Sequence, residues 1–448
     1  KKQRKVTESI RNIQDNITEI NNRSSINLSS LQKGKERLFD SLFIYDNYKN
    51  PLDNIDKEYG EGINFIELVD KMDYPLVVVV SENTKNKELK LVIKYAGELF
   101  DNELISNLQS IVSTLLEQIT TIHDLEISNL NYLDKNTHQK IIYDWNNTKR
   151  TYSNSKTIHK LFEEQAERTP DSIAVVCKDI ELSYKQFDIR VNKLANYIRK
   201  QSDITPDKTV ILCLDRSEHT LIAIFAALKA GAVYVPIDPG YPDNRISYIL
   251  RDTDTNIILT NQKYKKRLEK IVQGHKNNTN ELTGTHAKQK LRIIAIDSKY
   301  MSKHLQTHKV TPPITQVKNT NVAYIIYTSG TTGKPKGVMI EHKSYVEFIN
   351  SIRSLYFSTT QRINTYSITN YVFDIFGLEF GLPLLSGGKI EIGGHQISHI
   401  DCSNFDFIQT TPSLCSLMLE RLVNYNNTML FIGGEKLEQD LFNKIHEN

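Results

Sequence analysis

The residues best suited to chemistry in this chain lie in one loop, from Thr328 to Gly337, which reads TSGTTGKPKG. The loop contains three glycines, four hydroxyl side chains and two lysines. Glycine permits the positive φ angles that turn successive backbone N–H groups toward one point, and a nest of this kind binds anions. The hydroxyl groups add hydrogen bonds and the lysines add positive charge. The composition of the loop therefore predicts that it binds a polyphosphate.

Two other structures have to be compared with an anion nest. A Walker loop consists of a glycine, four further residues and then Gly-Lys-Ser/Thr at the start of a helix. Here Thr328 takes the place of the first glycine, and Pro335 follows Lys334. The apolar residues Val338 to Ile340 predict a strand after the loop, so a Walker loop is rejected. A polar hairpin turn is the more ordinary structure for an isolated loop of this composition, and the loop residues alone leave it open.

The segments around the loop predict a layered α/β fold. Val322 to Tyr327 form an apolar run that is typical of a buried strand. From residue 158 onward strands and helices alternate, which indicates stacked layers with largely parallel strands. The predicted strands are Ile173–Cys177, Val210–Leu214, Val233–Ile237, Ile257–Thr260 and Arg292–Ile296. The predicted helices are two that follow the caps Thr157 and Ser183, then His219–Ala230 with Gly231 as its stop, Arg245–Arg251 and Tyr345–Ile352. The lysine- and asparagine-rich stretch Asn261–Gly284 predicts a solvated surface insertion rather than a patch that binds nucleic acid.

The first part of the chain predicts a smaller α+β unit. Leu38–Tyr48 and Leu76–Val80 are apolar runs that are typical of strands. Asp101 can cap a helix whose apolar residues share one face. Residues 1–40 are polar and show no sustained periodicity. The pattern therefore predicts strands followed by a closing helix.

Length and composition bound the organisation and the class of function. A chain of 448 residues is too long for one ordinary core, and we assign residues 1–145 to the first domain, 146–157 to a polar linker and 158–448 to the second domain. The 56 basic and 53 acidic residues leave a net charge of +3, which gives no case for nucleic-acid binding. No apolar run is long enough to span a membrane. The four cysteines lie in apolar contexts without metal-type spacing, which predicts reduced, buried thiols, no metal site and a cytoplasmic protein.

The full string around the loop resembles a known family. Residues 321–342, NVAYIIYTSGTTGKPKGVMIEH, closely resemble the signature loop of adenylate-forming (AMP-binding) enzymes. Within that group, the residues are most similar to the loop of nonribosomal peptide synthetase adenylation domains. ELSYKQFDIRVNKLA and LKAGAVYVPIDPGYPDNRISYIL are similar to the first two core motifs of those domains. The second motif includes Lys229, Gly231, Tyr234, Pro236, Asp238, Pro239 and Arg245, which individually indicate only packing or a turn. The resemblance implies the α/β N-terminal core of an adenylate-forming enzyme.

The first domain is similar to the C-terminal part of a condensation domain. The similarity is carried by LFDSLFIYDNY and by ELKLVIKYAGELFDNELISNLQSIVSTLLEQI. The catalytic motif of that family, His-His-x-x-x-Asp-Gly, does not occur, because the chain contains no adjacent histidines. The resemblance therefore implies an α+β remnant with a structural role and no peptide-bond catalysis.

For the loop, the resemblance implies a site for the phosphates of ATP. The residues concerned are Thr328, Ser329, Gly330, Thr331, Thr332, Gly333, Lys334, Lys336 and Gly337, with Thr328 and Lys336 in catalytic roles. The segment Gly433, Gly434 and Glu435 is implied to lie against the adenine, although by itself it indicates only a turn at the end of a strand. Mg²⁺ is expected to bridge phosphate oxygens.

Asp374 is the residue on which the choice of substrate depends. By itself an aspartate before FGLEF is more typical of a helix N-cap. In the family this aspartate binds the α-ammonium group of an amino acid, and a carboxylate at the floor of an apolar pocket needs such a cation because burying it unpaired is costly. The family usually shows Phe-Asp-x-Ser, and Phe376 replaces that serine here, which leaves the aspartate itself in place.

The remaining pocket positions predict a very small substrate. By motif they are Asp374, Ile375, Leu378, Gln409, Phe431 and Gly433. Large side chains at these positions should fill the space that a substrate side chain would need, and the set resembles the family's glycine-type pattern. We therefore expect glycine, with alanine second.

The implied reaction joins an amino acid to ATP. The product, an aminoacyl-adenylate, would pass to the phosphopantetheine arm of a carrier domain in the parent synthetase. The family's Asn-x-Tyr-Gly-Pro-Thr-Glu motif, the lysine of its C-terminal subdomain and a carrier serine are not found in these 448 residues, which begin with Lys1. We therefore expect a truncated piece of a longer chain that binds nucleotide weakly and turns over poorly. An acyl-CoA or aryl-acid ligase and a non-catalytic scaffold are the alternative functions.

Overall fold

Two units make up the fold, Lys1–Thr151 and Tyr152–Asn448, and each is described by itself. The division falls within the stretch 146–157, whose assignment as a linker stays a prediction. In the computed structural model, the described residues are 4–23, 39–46, 74–83, 88–122, 125–148, 156–277, 291–328, 334–394, 400–424 and 427–447.

The first unit combines a three-stranded sheet with helices. Its elements are α1 (Val6–Arg23), β1 (Ser41–Asp46), β2 (Leu76–Asn83), β3 (Glu88–Tyr95), α2 (Asn102–Thr121), α3 (Lys135–Gln139) and short turns at Ile127–Asn129 and Lys140–Asp144. In the sheet, β2 lies between β1, to which it is parallel, and β3, to which it is antiparallel. The Asp101 side chain accepts a hydrogen bond from the backbone N–H of Leu104, so the predicted cap of α2 is present.

Helix α1 was not predicted from the sequence. Its signal is the spacing of Ile10, Ile13, Ile17 and Ile20 within an otherwise polar segment. Intervals of three and four residues place these side chains on one helix face.

In the part of the chain that the structure describes, no helix is both long and apolar enough to cross a bilayer.

The second unit contains two six-stranded sheets with helices between and around them. Its elements before the Gly-rich loop are α4 (Ile158–Arg168), β4 (Ile173–Cys177), β5 (Ile180–Ser183), α5 (Tyr184–Gln201), β6 (Thr209–Cys213), α6 (Glu218–Ala230), β7 (Val233–Pro236), α7 (Asp243–Asp252), β8 (Ile257–Thr260), α8 (Gln262–Asn277), β9 (Arg292–Ala295), α9 (Lys299–Leu305) and β10 (Val322–Thr328). After the loop come β11 (Lys336–Glu341), α10 (His342–Tyr356), β12 (Thr365–Ser367), α11 (Phe376–Ser386), β13 (Ile390–Ile392), β14 (Ile400–Asp401), β15 (Phe407–Thr410), α12 (Pro412–Met418), β16 (Leu422–Val423), β17 (Met429–Ile432) and α13 (Gln439–Glu447).

The strands of both sheets are largely parallel, as predicted. The first sheet has the order β11-β10-β7-β6-β8-β9 and the second has the order β17-β15-β12-β13-β4-β5. Among the described strands of these sheets, only the edge pairs β10–β11 and β4–β5 are antiparallel. The carboxyl ends of the parallel strands therefore meet at one edge of each sheet, which is where open α/β sheets bind ligands.

Local signals in the sequence account for several helix ends. Ser183 and Gln186 form a reciprocal capping box at the start of α5. Gly231 ends α6 with a φ of +91°, a left-handed conformation that favours glycine. Thr157 stands at the N-cap of α4, but its hydroxyl contacts the His159 ring instead of the expected backbone N–H.

The predicted solvated insertion over Asn261–Gly284 is wrong for most of its length. Residues 262–277 form α8, and Leu268 and Ile271 are buried against the first sheet. The apolar side chains recur at helical spacing among the lysines, which obscured them. The remaining part of the predicted insertion, from residue 278 onward, lies outside the described residues.

A buried cation holds three helices of the second unit together. Lys229 of α6 is fully buried, and its Nζ lies 2.5 Å from Asp188 Oδ1 and 3.2 Å from Glu163 Oε1. The same atom donates to Asn192 Oδ1 at 2.9 Å and lies over the ring of Phe162. Helices α4, α5 and α6 thus share one charged centre within the core.

We expect Lys229→Met to lower the free energy of unfolding by about 3 kcal/mol, because removing one partner leaves the carboxylates without their buried cation. Urea unfolding followed by circular dichroism would measure this loss. Lys343→Met is the matched control, since Lys343 pairs with Glu341 at the surface and exposed pairs contribute little. Equal stability of the two variants would contradict a stabilising role of the buried centre.

Candidate functional site

The two residues predicted to be catalytic lie opposite each other at the base of the Gly-rich loop. Thr328 is the last residue of β10 and pairs in register with Lys336, the first residue of β11. Directly opposed residues of an antiparallel pair project on the same side. Lys334 is exposed just before β11. Of the predicted loop residues, Ser329, Gly330, Thr331, Thr332 and Gly333 lie outside the described residues.

Gly337 is part of the hairpin strand β11 rather than of the loop. It pairs with Tyr327, and a Cβ atom at this position would lie 2.8 Å from Ile325 Cγ2 and 3.0 Å from Tyr327 Cζ. Real Cβ atoms do not approach other atoms at the shorter of these distances. The structure therefore explains this glycine by close packing, whereas the sequence analysis assigned it to phosphate binding.

A cavity of about 530 Å³ lies beside the end of β10. It is lined by Tyr241, Arg245, Tyr324, Ile326, Tyr327, Thr328, Val338, Ile340, Val372, Phe373 and Asp374. Most of these side chains are apolar or aromatic. Among the described lining residues, Arg245 is the only cation and Asp374 is the only carboxylate. One cavity thus brings together the start of the Gly-rich loop and the aspartate that the sequence singled out.

The two sheets meet at this cavity through hydrogen bonds. The Tyr371 hydroxyl donates to the carbonyl oxygen of Ile237 at 2.6 Å and accepts from the Leu214 N–H at 2.9 Å. These partners follow β7 and β6 of the first sheet, whereas Tyr371 follows β12 of the second. Asn370 adds a hydrogen bond to Asp238 at 2.6 Å. The segment that carries Asp374 is therefore fixed to the carboxyl edge of the first sheet.

The predicted burial of Asp374 at a pocket floor is wrong. Its side chain is exposed at the cavity wall, and its Oδ1 accepts a hydrogen bond from the Ile375 N–H at 2.8 Å. The N-cap of α11 is Ile375 rather than Asp374. Burial, and after it the charge of Asp374, raise the pKa of Tyr324 to about 12, so a neutral phenol faces this carboxylate. The sequence could not reveal the exposure because it depends on how two sheets meet.

The other predicted pocket residues do not line this cavity. Leu378 is buried, whereas Ile375 and Phe431 are half-buried in the same hydrophobic cluster of the second unit. Gln409 and Phe431 are register partners on β15 and β17, and Gln409 is 5% exposed. Phe431 packs against Phe407, with ring centroids 5.6 Å apart. Gly433 follows β17 directly.

The predicted adenine segment is held by the end of β15 and the start of α12. Gly434 has a φ of +88°, and the N–H of Gly433 donates to the Thr410 carbonyl oxygen at 3.1 Å. The Glu435 carboxylate accepts hydrogen bonds from the backbone N–H and the hydroxyl of Ser413. These hydrogen bonds hold the pKa of Glu435 below its usual range. The turn after β17 is thus joined to the end of β15 and to the start of α12.

A buried carboxylic acid in α11, the helix that follows Asp374, was not predicted from the sequence. Glu379 is completely buried in α11, where it accepts hydrogen bonds from the Ser367 hydroxyl and from the Thr369 N–H. Burial raises its pKa to about 7, although Arg216 acts in the opposite direction. Its only signal in the sequence is a charged residue within the apolar run FGLEFGLPLL. In the described part of the chain, no group of three or more histidine, cysteine or acidic residues is placed to hold a metal.

Comparison with protein families identifies the second unit. The model of the AMP-binding enzyme family matches residues 162–448. This chain belongs to the AMP-binding enzyme family. The model of the condensation domain matches residues 1–142, before the AMP-binding part.

Curated relatives of this AMP-binding chain are peptide synthetases. It is 35% identical over 459 residues to N-(5-amino-5-carboxypentanoyl)-L-cysteinyl-D-valine synthase of Amycolatopsis lactamdurans, covering 98% of this chain and 12% of that protein. It is 30% identical over 400 residues to gramicidin S synthase 2 of Brevibacillus brevis, covering 86% of this chain and 8% of that protein. The chain thus spans a small part of each relative.

A solved structure supports the same fold. A four-domain nonribosomal peptide synthetase in its holo form, bound to AMP and glycine, superposes with a TM-score of 0.74 at 20% identity, covering 99% of this chain and 33% of that one. The predicted α/β architecture is confirmed. The predicted succession of condensation and adenylation segments of a nonribosomal peptide synthetase is also confirmed.

The buried acid of the AMP-binding unit gives a pH prediction. In the folded state the pKa of Glu379 is about 7, above the ordinary value of 4.5. Between pH 4.5 and 7, therefore, Glu379 is protonated in the folded state but ionised in the unfolded state. The contribution of the protonated Glu379 side chain to the free energy of unfolding is complete below pH 4.5 and is lost as the pH rises through 7.

We therefore expect Glu379→Gln to become more stable relative to the unaltered chain as the pH rises from about 5 to 8, by at most about 1.4 kcal/mol per pH unit. Urea unfolding across this range would measure the difference. Glu181→Gln, at an exposed position of β5, is the control. Parallel pH profiles for Glu379→Gln and the unaltered chain would show that Glu379 keeps its charge on folding.

Proposed function

We propose that the AMP-binding unit activates an amino acid with ATP. The carboxylate of the amino acid attacks the α-phosphate, a C–O–P bond forms, and the bond to the β-phosphate breaks with release of pyrophosphate. The observation that carries this proposal is the cavity shared by Thr328 and Asp374, because the reaction must bring a polyphosphate and an amino group into one space. Its products are an aminoacyl-adenylate and pyrophosphate.

The base of the Gly-rich loop is suited to the charge that this reaction moves. Thr328 offers a hydroxyl and Lys336, its register partner, offers a cation. Lys334 adds a second exposed lysine next to them. Transfer at phosphorus needs positioning and charge neutralisation more than covalent participation of the protein. We assign both lysines and Thr328 to the phosphates, together with the loop residues 329–333.

Mg²⁺ fits this site as a companion of the phosphates rather than as a resident of the protein. Magnesium sites that include nucleotide are completed by phosphate oxygens and water. When bound, the ion would neutralise phosphate charge. The adenylate would then pass to the phosphopantetheine thiol of a carrier domain of the parent synthetase.

The four cysteines are free and buried, which fits the cytoplasmic location expected from the sequence.

Asp374 is assigned to the ammonium group of the substrate. Its carboxylate is the only one among the described residues that line the cavity, so it is the group there that can attract a cation. The neighbouring phenol of Tyr324 stays neutral and supplies no competing charge. An acyl-CoA or aryl-acid ligase would have no ammonium group for this carboxylate, which makes it the less favoured function.

The other pocket residues identified by motif, which lie outside the lining of this cavity, favour glycine as the amino acid, with alanine second. Leu378 and Gln409 are buried, and Phe431 is held between Phe407 and Tyr356 by ring contacts. Side chains packed in this way leave little freedom to accommodate a larger substrate. The glycine bound in the structural relative agrees with this choice. Gly433, Gly434 and Glu435, joined to the end of β15 and the start of α12, are assigned to the adenine.

A titration with non-hydrolysable aminoacyl-adenylate analogues tests the substrate. We expect a glycyl sulfamoyl-adenosine to bind more tightly than the alanyl analogue and far more tightly than the leucyl analogue, since overpacking costs about 1–3 kcal/mol. Asp374→Ala should weaken the glycyl analogue because it loses the ammonium partner, whereas Asp179→Asn, at an exposed turn, should not. Tightest binding of the leucyl analogue would rule out glycine, and equal binding by both variants would remove Asp374 from the site.

The same chain is expected to be a poor catalyst. Its 448 residues contain no Asn-x-Tyr-Gly-Pro-Thr-Glu motif, which in the resembling family contributes to metal binding. We expect isothermal titration with ATP and Mg²⁺ to show weak binding, and amino-acid-dependent exchange of pyrophosphate into ATP to be slow. Micromolar ATP binding with rapid exchange would contradict this expectation. No binding of any adenylate analogue would favour a scaffold.

A further inference from the structure

We propose that Arg245 is an anion-binding residue of the cavity described above, where its guanidinium takes an oxyanion of one of the substrates. The inference rests on the proposed function for the identity of that oxyanion. Taken from the sequence, Arg245 indicated only packing or a turn. The residues around Arg245 in the structure indicate instead that its guanidinium binds a ligand.

The guanidinium is held in a fixed orientation at the cavity. Arg245 lies in the first turn of α7, and its Cζ is 4.1 Å from the centroid of the Tyr241 ring. Both residues line the cavity that Thr328 and Asp374 also line. A guanidinium that lies on an aromatic ring keeps the N–H groups at its edge free to donate.

Among the described residues, no carboxylate forms an ion pair with Arg245. Its Nε is buried and has no hydrogen-bond partner among the described residues. Asp243, two positions away, pairs with Arg267 at 2.6 Å instead. Nor do the ion pairs found in the described parts of the chain include one between Arg245 and Asp374.

Two other described carboxylates near α7, Asp238 and Asp252, also have partners. Asp238 accepts from the Asn370 amide and from the Gly240 N–H. Asp252, at the end of α7, accepts from the Tyr327 hydroxyl at 2.5 Å. A permanently charged group that lines a mostly apolar cavity and has no ion-pair partner among the described residues favours an anionic ligand.

The chemistry of the substrates supplies two oxyanions. ATP and the leaving pyrophosphate carry phosphate oxygens, and the amino acid carries a carboxylate. The planar fork of a guanidinium can donate two parallel hydrogen bonds to either group. The alternative is that Arg245 only packs on Tyr241, in which case its removal would affect stability without selecting among ligands.

The experiment compares Arg245→Gln with Arg251→Gln in the 448-residue chain. Arg251 is exposed in the last turn of the same helix, so its variant removes the same charge from the same element. Each protein is titrated with inorganic pyrophosphate, with ATP and Mg²⁺, with glycine in the presence of AMP, and with the glycyl sulfamoyl-adenosine. The last ligand has neither a polyphosphate nor a free carboxylate. Thermal unfolding of each variant monitors the fold.

We expect Arg245→Gln to lose affinity by about ten- to a hundred-fold for one oxyanion, the range for a hydrogen bond to a charged group. Loss in the pyrophosphate and ATP titrations assigns the phosphates, and loss in the glycine titration assigns the carboxylate. The sulfamoyl analogue should bind nearly as before, and Arg245→Lys should recover only part of the loss. Arg251→Gln should match the unaltered chain.

Two results would overturn the inference. One is unchanged affinity of Arg245→Gln for every oxyanion; the other is an equal loss for all four ligands together with a lower unfolding temperature, which would show packing. The proposed function fails separately, if the glycyl analogue does not bind the unaltered chain. Loss of pyrophosphate binding in Arg245→Gln would still support the anion-binding role in that case.

Discussion

The position of the cavity depends on one buried phenol. Tyr371 is 2% exposed, and its hydroxyl both donates to the Ile237 carbonyl oxygen and accepts from the Leu214 N–H. Burial raises the pKa of this phenol well above its ordinary value, so it remains a donor throughout the physiological range. Because its partners follow two strands of the first sheet, the chain after β12 is held at the carboxyl edge of that sheet. Asp374 follows three residues later and is placed beside Thr328 as a consequence.

A second connection between the sheets uses buried charge. Arg216, which follows β6, donates to the carbonyl oxygen and the hydroxyl of Ser367 at the end of β12, and that hydroxyl also donates to Glu379. Burying an arginine and a carboxylic acid is costly, and apolar side chains of similar size would often be at least as stable. The polar groups instead fix how the two sheets are oriented relative to each other, because each hydrogen bond forms in only one arrangement of the strands. Lys229 has the corresponding role farther from the cavity, where it fixes α6 against α4 and α5.

The sequence predicted those features whose causes are local. The hairpin strands on both sides of the loop, the caps at Asp101 and Ser183 and the stop at Gly231 all follow from residues within a few positions of each other. Helix α8 was missed because its lysines outnumber the apolar residues that define its buried face. The exposure of Asp374, the packing around Gly337 and the unpartnered Nε of Arg245 depend on contacts between distant segments, which no local pattern contains.

If the substrate is glycine, apolar contact contributes little to its recognition. A methylene group contributes only about 0.8 kcal/mol on burial, so alanine would gain from its extra methyl group in any pocket able to admit it. Preference for the smaller amino acid therefore has to come from exclusion, and exclusion requires walls that do not yield. The parallel pairing of Gln409 with Phe431, the ring contacts of Phe431 and the hydrogen bonds of Glu435 to Ser413 hold these residues in place, outside the lining of the cavity that Thr328 and Asp374 share. Affinity for glycine would then depend on charge, with Asp374 as the proposed partner of the ammonium group.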